Sequence, residues 1–224
     1  MTTTAATKRT VEGALAEAAE WRLLGLLFER PRPGWREAVE ALSREVGDGD
    51  LRAAAAQAGE AEEGTYLRVM GPGGAVPARE AGYHVTGDLG NILADVSAFY
   101  EAFAYHPSAE DPLDHVAVQA GFAGYLRLKE AYARARGDEK NAETTAGALD
   151  RFIEAHLRVI AGPLARRLAG TAPAYLVRAA ASLVARAGDA PDPSWGMASS
   201  ESAAQTGESG LCCGDALPGV EPAD

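Results

Sequence analysis

The stretch EDPLDHVAVQAGFAGYL, residues 110–126, changes character halfway. Acids, a proline and a histidine give way to a run of small and apolar residues. With Asp111 as N-cap, Pro112 falls on the first helical position, where its missing N–H costs nothing. Asp114 then falls on the third position, where a carboxylate suits the positive end of the helix dipole. On this reading the stretch opens a helix running to about Arg136. The same residues also allow a site. Asp111, Asp114 and His115 share one helix face and could hold a metal, although two oxygens and one nitrogen do not close a zinc set. Alternatively, Asp114 and His115 form a recognition pair, a carboxylate orienting an imidazole at the rim of a pocket.

The surrounding chain is helical in pattern. Leu15, Ala18, Ala19, Leu23, Leu26 and Leu27 recur at steps of three and four, and ERPRPG ends that stripe because two prolines cannot continue the ladder. Trp35, Val39, Leu42 and Val46 mark a second helix, stopped at GDGD. One or two more follow in LRAAAAQAGEAEEGTYLRVM, with a break at Gly59. The helical pattern resumes from Leu89 to Phe103. A later helix carries Leu149, Phe152, Ile153, His156, Leu157 and Ile160 on one face. Pro163 stands where a new helix could begin, and a last helix covers about 173–187. No segment alternates with period two, so no strand is expected. His156, on an apolar face, reads as a hydrogen-bonded core histidine. The aromatics of 99–105, with Phe122 and Tyr125, read chiefly as core.

Composition agrees with a helical body. The chain has 224 residues, 47% hydrophobic and 24% charged, with only 7% aromatic. Its net charge is −11, but residues 188–224 hold seven acids and no Lys or Arg, so residues 1–187 carry only −4. No basic stripe is present, which argues against nucleic-acid binding. The expected organisation is a flexible N-terminus over 1–10, one globular all-helical domain over 11–187, and a disordered acidic Gly/Ser/Pro tail over 188–224. The N-terminus reads as lacking a secretory signal, and no run is long enough for a membrane span. Cys212 and Cys213 are adjacent, unlike the CxxC of zinc or redox sites. A cytoplasmic protein is expected. The irregular stretch 71–88 holds five glycines and two prolines, and loops of that length are commonly functional. Its GPGGAV lacks the Lys-Ser/Thr ending of a phosphate loop. No GxSxG or HExxH occurs.

Three stretches resemble the TorD/DmsD/NarJ family of molybdoenzyme assembly chaperones. In EEGTYLRVMGPGGAVPARE, the positions of Glu63, Tyr66, Val69, Met70, Gly71, Pro72 and Pro77 match the family's Glu, Tyr, apolar pair, Gly-Pro, loop and Pro. FYEAFAYHPSAEDPLDHVAVQAGFAGYL is similar to its aromatic helix followed by Pro-x-Asp-His, here Pro112, Asp114 and His115. FIEAHLRVIAGPLARRL is like its Phe-x3-His-Leu helix, here Phe152, His156 and Leu157. The likeness spans roughly residues 15–187. It departs where the family has Glu-Leu-Glu and this chain has Gln119-Ala120-Gly121, where Met70 replaces a common Phe, and where Ile160 stands near a frequent Trp. QAGFAGYL looks closest to the branch serving type II enzymes of the dimethyl sulfoxide reductase family.

The resemblance implies an all-α, TorD-like protein without catalytic residues, metal or cofactor of its own. Its partners would be the twin-arginine signal peptide and the apo form of a molybdoenzyme catalytic subunit, held for molybdenum cofactor insertion before export. It would act in anaerobic respiration as a monomer or homodimer, with no nucleic acid and no stable membrane insertion. The implied partner site comprises Tyr66, Val69, Met70, Pro77, Tyr100, Pro112, Asp114, His115, Gln119 and Phe122, with Asp114 near the rim of an apolar groove. Two other readings stay open: a metal-dependent hydrolase using Asp111, Asp114 and His115, and an unrelated helical adaptor acting through its tail.

Overall fold

A computed structural model describes residues 10–84, 89–107 and 111–190, all within one compact unit, Met1–Pro193. The N-terminal segment expected to be flexible, all of it but Thr10, and the expected tail from residue 191 onward lie outside the described residues. So do Trp195, Leu211 and the cysteine pair. The described residues are helical, with no strand beyond one isolated antiparallel bridge, Arg79 to His115. None of the described helices is long and apolar enough to cross a membrane.

Helix α1 (Val11–Phe28) starts where the Thr10 hydroxyl accepts a bond from Gly13 N, and ends before Pro31. Its second half is buried almost all round, from Trp21 to Phe28. It lies along α6 (Val116–Ala135), the central helix, whose first nine residues are all buried. Small residues let these two backbones meet. A Cβ on Gly25 would stand 3.0 Å from Ala117 O, and one on Gly124 would stand 3.0 Å from Ala18 O. Helix α2 (Trp35–Ser43) is tied back by Trp35 Nε1, which donates to Leu26 O at 2.8 Å. Helix α3 (Gly49–Ala58) is capped by Asp48, which accepts from the N–H groups of Asp50 and Leu51. The break at Gly59 separates it from α4 (Glu63–Met70), and Tyr66 Oη donates to Phe28 O at 2.8 Å. Helices α5 (Leu89–Ala102), α7 (Glu139–Phe152), α8 (Arg158–Leu168) and α9 (Ala174–Ala187) complete the body.

Two expectations are corrected. First, Pro163 does not start a helix. Helices α7 and α8 run on through a π-turn at Ile153–Leu157, and Pro163 lies inside α8, where it removes the bond to the carbonyl four residues back. Second, Asp111 does not cap α6, and neither Pro112 nor Asp114 lies within it. The cap is His115, whose Nδ1 accepts from Ala117 N at 3.2 Å. The reason is tertiary. Glu80 N donates to Asp114 O, and Val116 N donates to Ala78 O, each at 2.9 Å. The chain at 114–116 is thus held extended against 78–80, and the helix begins only after it.

Candidate functional site

The loop after α4 folds back on its own helix. Ala75 N donates to Arg68 O at 3.1 Å and Val76 N to Val69 O at 2.8 Å. Gly73 takes a φ of 76°, and a Cβ on Gly74 would lie 2.7 Å from Val69 O, so this reversal needs both glycines. The loop then runs extended through Pro77 and Arg79 into a short 3₁₀ turn, Glu80–Tyr83, with Tyr83 Oη donating to Pro77 O at 2.7 Å.

Two buried carboxylates lock this loop to the helices. Asp114 is fully buried. Its Oδ1 accepts from Arg79 Nε at 2.8 Å, and its Oδ2 accepts from Ala81 N at 3.2 Å. Glu80 is also buried, and its oxygens take Gln119 Nε2 at 2.5 Å, His84 Nε2 at 2.9 Å and His156 Nδ1 at 3.1–3.2 Å. His156 comes from the π-turn, and its Nε2 lies 3.3 Å from Asp95 Oδ2 of α5. Burial alone would raise the Glu80 pKa. The bond and charge of His156, with bonds from His84 and Gln119, outweigh it and hold the carboxyl below its ordinary value. Burial lowers the His115 pKa against the opposing charges of Asp111 and Asp114. With its Nδ1 accepting from the helix, His115 is a neutral imidazole carrying its proton on Nε2.

Above this lock lies a cavity of about 730 Å³, bounded by α4, the 71–82 loop, the 111–115 turn and the start of α5. Tyr66, Met70, Pro77, Pro112 and His115 line it. Leu67 and Leu89, exposed at 36% and 45%, stand at its walls, so the opening presents apolar side chains to solvent. Arg30, Arg32, Arg79 and Asp111 supply its charges.

The remaining implied site residues sit beneath it. Asp114 is not at the rim: it faces Arg79 and the loop backbone. Gln119 serves Glu80, and Val69 packs into the core. Tyr100 and Phe122 belong to an aromatic cluster with Tyr105 and Phe152, ring centroids 4.7–6.1 Å apart. Tyr100 reaches the site only through its hydroxyl, which donates to Leu113 O at 2.9 Å and steadies the turn. Sequence reasoning missed Arg79, Glu80, Leu67 and Leu89. Two of the three partners of Glu80 lie 39 and 76 residues away, and the near one, His84, makes only an i,i+4 Glu-His pair that does not single it out. Leu67 and Leu89, by contrast, are large apolar residues beside the Gly-Pro loop, a signal that was present.

Among the described residues, no group of three or more His, Cys, Asp or Glu side chains is arranged to hold a metal ion. The oxygens of Asp114 and the Nδ1 of His115 are already committed to protein donors. Comparison of the chain with protein-family models, with curated proteins and with solved structures gives no match in any of the three.

Proposed function

We propose that the protein is a cytoplasmic assembly chaperone of the TorD/DmsD/NarJ type. It binds the twin-arginine signal peptide and apo form of a molybdoenzyme catalytic subunit and holds the subunit for cofactor insertion. It carries out no chemistry itself. One observation carries this reading. The three stretches that bear the resemblance, remote in sequence, converge on one place. The α4 and Gly-Pro segment and the Pro-x-Asp-His segment form the walls of the cavity, and His156 of the third stretch anchors the loop from below through Glu80. The opening suits an extended or helical peptide with an apolar stretch, since Leu67, Leu89 and Pro112 offer exposed apolar surface along its walls.

Calorimetric titration of the full chain with a molybdoenzyme's twin-arginine signal peptide tests the reading. The wild-type protein should bind it. Leu67→Glu, at an exposed position, should leave the melting temperature unchanged and weaken binding by about 10- to 100-fold, the value of one buried leucine side chain. Absence of wild-type binding, together with normal cofactor content of the client in a deletion strain, would rule it out.

A further inference from the structure

The cavity's charges are unevenly spoken for. Arg30 is paired with Glu63, Arg79 holds Asp114 at 2.8 Å, and Arg32 is engaged as well. Asp111 is different: it lines the cavity, is half-buried, and makes no hydrogen bond or ion pair with any described residue. Its charge is felt at both His115 and Tyr66, which places it between the Asp-His turn and α4. Neither neighbour neutralises it. His115 is a neutral imidazole whose Nδ1 faces its own helix, and the Tyr66 hydroxyl donates to Phe28 O at 2.8 Å. A carboxylate held on an apolar lip without a protein partner is worth most when a ligand brings the opposite charge.

We infer that Asp111, and not its buried neighbour Asp114, is the carboxylate by which the cavity selects its partner, and that it takes a guanidinium group of the bound peptide. This rests on the peptide-binding function proposed above. Asp114 is then a positioning residue, acting through Arg79 and the loop backbone. Arginine fits better than lysine because its planar fork can meet both carboxylate oxygens at once while its face lies on exposed apolar side chains of the lining such as Pro112 and Leu89.

The test is a double-mutant cycle by calorimetry on the full chain. Wild type and Asp111→Asn are each titrated with a twin-arginine signal peptide and with versions whose arginines are replaced by glutamine or lysine. Asp111→Asn should keep the wild-type melting temperature and weaken the arginine peptide about tenfold, as one charge-assisted bond requires. The glutamine peptide should lose as much, the combination should lose no more, and the lysine peptide should fall between. Asp114→Asn should lower the melting temperature, with a binding loss that does not depend on the peptide's arginines. Equal binding of the arginine peptide by wild type and Asp111→Asn, or losses that multiply, would overturn the inference. If no signal peptide binds wild type, the proposed function fails instead, and acetyl-Arg-Arg-amide decides this point. Its titration should move the Asp111 carboxyl carbon resonance, identified by its disappearance in Asp111→Asn, and an unmoved resonance would overturn the inference.

Discussion

Asp114 shows how one buried side chain can outvote a local pattern. Read alone, Asp-Pro-Leu-Asp is a helix start. In the fold, the second aspartate spends both oxygens on Arg79 and the Ala81 N–H, so it governs the loop. Replacing it should therefore cost the loop its anchor. Asp114→Ala leaves a partly buried N–H unpaired, and urea unfolding should show a loss of about 1–3 kcal/mol. The exposed side of the Arg79 pair adds little to that figure. Glu80 makes a second residue-scale prediction, through pH. Its carboxyl is held below the ordinary 4.5, so its contribution is complete above that value and disappears as pH falls through the lowered one. His115 acts from a higher pH. Burial lowers it from 6.5, so the unfolded chain takes up protons first and stability falls as pH drops below about 6.5. Urea midpoints followed from neutral to acid pH should decline in two stages. Glu80→Gln should flatten the lower stage, and His115→Asn, which keeps a capping acceptor, should flatten the upper.

Helices were the legible part of the sequence. Steps of three and four located α1, α2, α5 and the path from α7 into α8, the last helix was expected at about 173–187 where α9 lies, and Gly59 marked the break between α3 and α4, because periodicity and breakers act locally. What was not legible depended on distance along the chain. The start of α6 was misplaced because a backbone pairing with residues 78–80 delays it, and Pro163 was misplaced because α8 accommodates it within a continuous helical path. At this scale the α1–α6 contact is the testable feature. A Cβ at Gly124 meets backbone, Ala18 O at 3.0 Å and Arg22 N at 3.1 Å, whereas one at Gly121 meets only the movable Tyr105 hydroxyl at 2.9 Å. Gly124→Ala should force the helices apart and cost about 1–3 kcal/mol, and Gly121→Ala clearly less, as measured by thermal or urea unfolding.

For the whole molecule, the implied site divided in two on folding. Tyr66, Met70, Pro77, Pro112 and His115 reached a shared cavity, while Val69, Tyr100, Asp114, Gln119 and Phe122 became the structure beneath it. Residue type and spacing do not separate a wall from its support, since both draw on aromatic and buried polar residues. The separation appears only when elements from residues 30 to 115 close around one space. The net charge of −11 adds a general attraction for a cationic peptide, weakened by salt. The claim that this cavity is where a client is held is tested most directly by site-specific crosslinking. A photo-reactive side chain is placed at Leu89, on the cavity wall, or at Tyr132, which is 65% exposed on α6 and outside the cavity. Each full-length protein is irradiated with the apo precursor of a molybdoenzyme catalytic subunit. The account predicts a crosslink from position 89 into the twin-arginine signal peptide and none from position 132; no signal-peptide crosslink from 89, or an equal yield from 132, would contradict it.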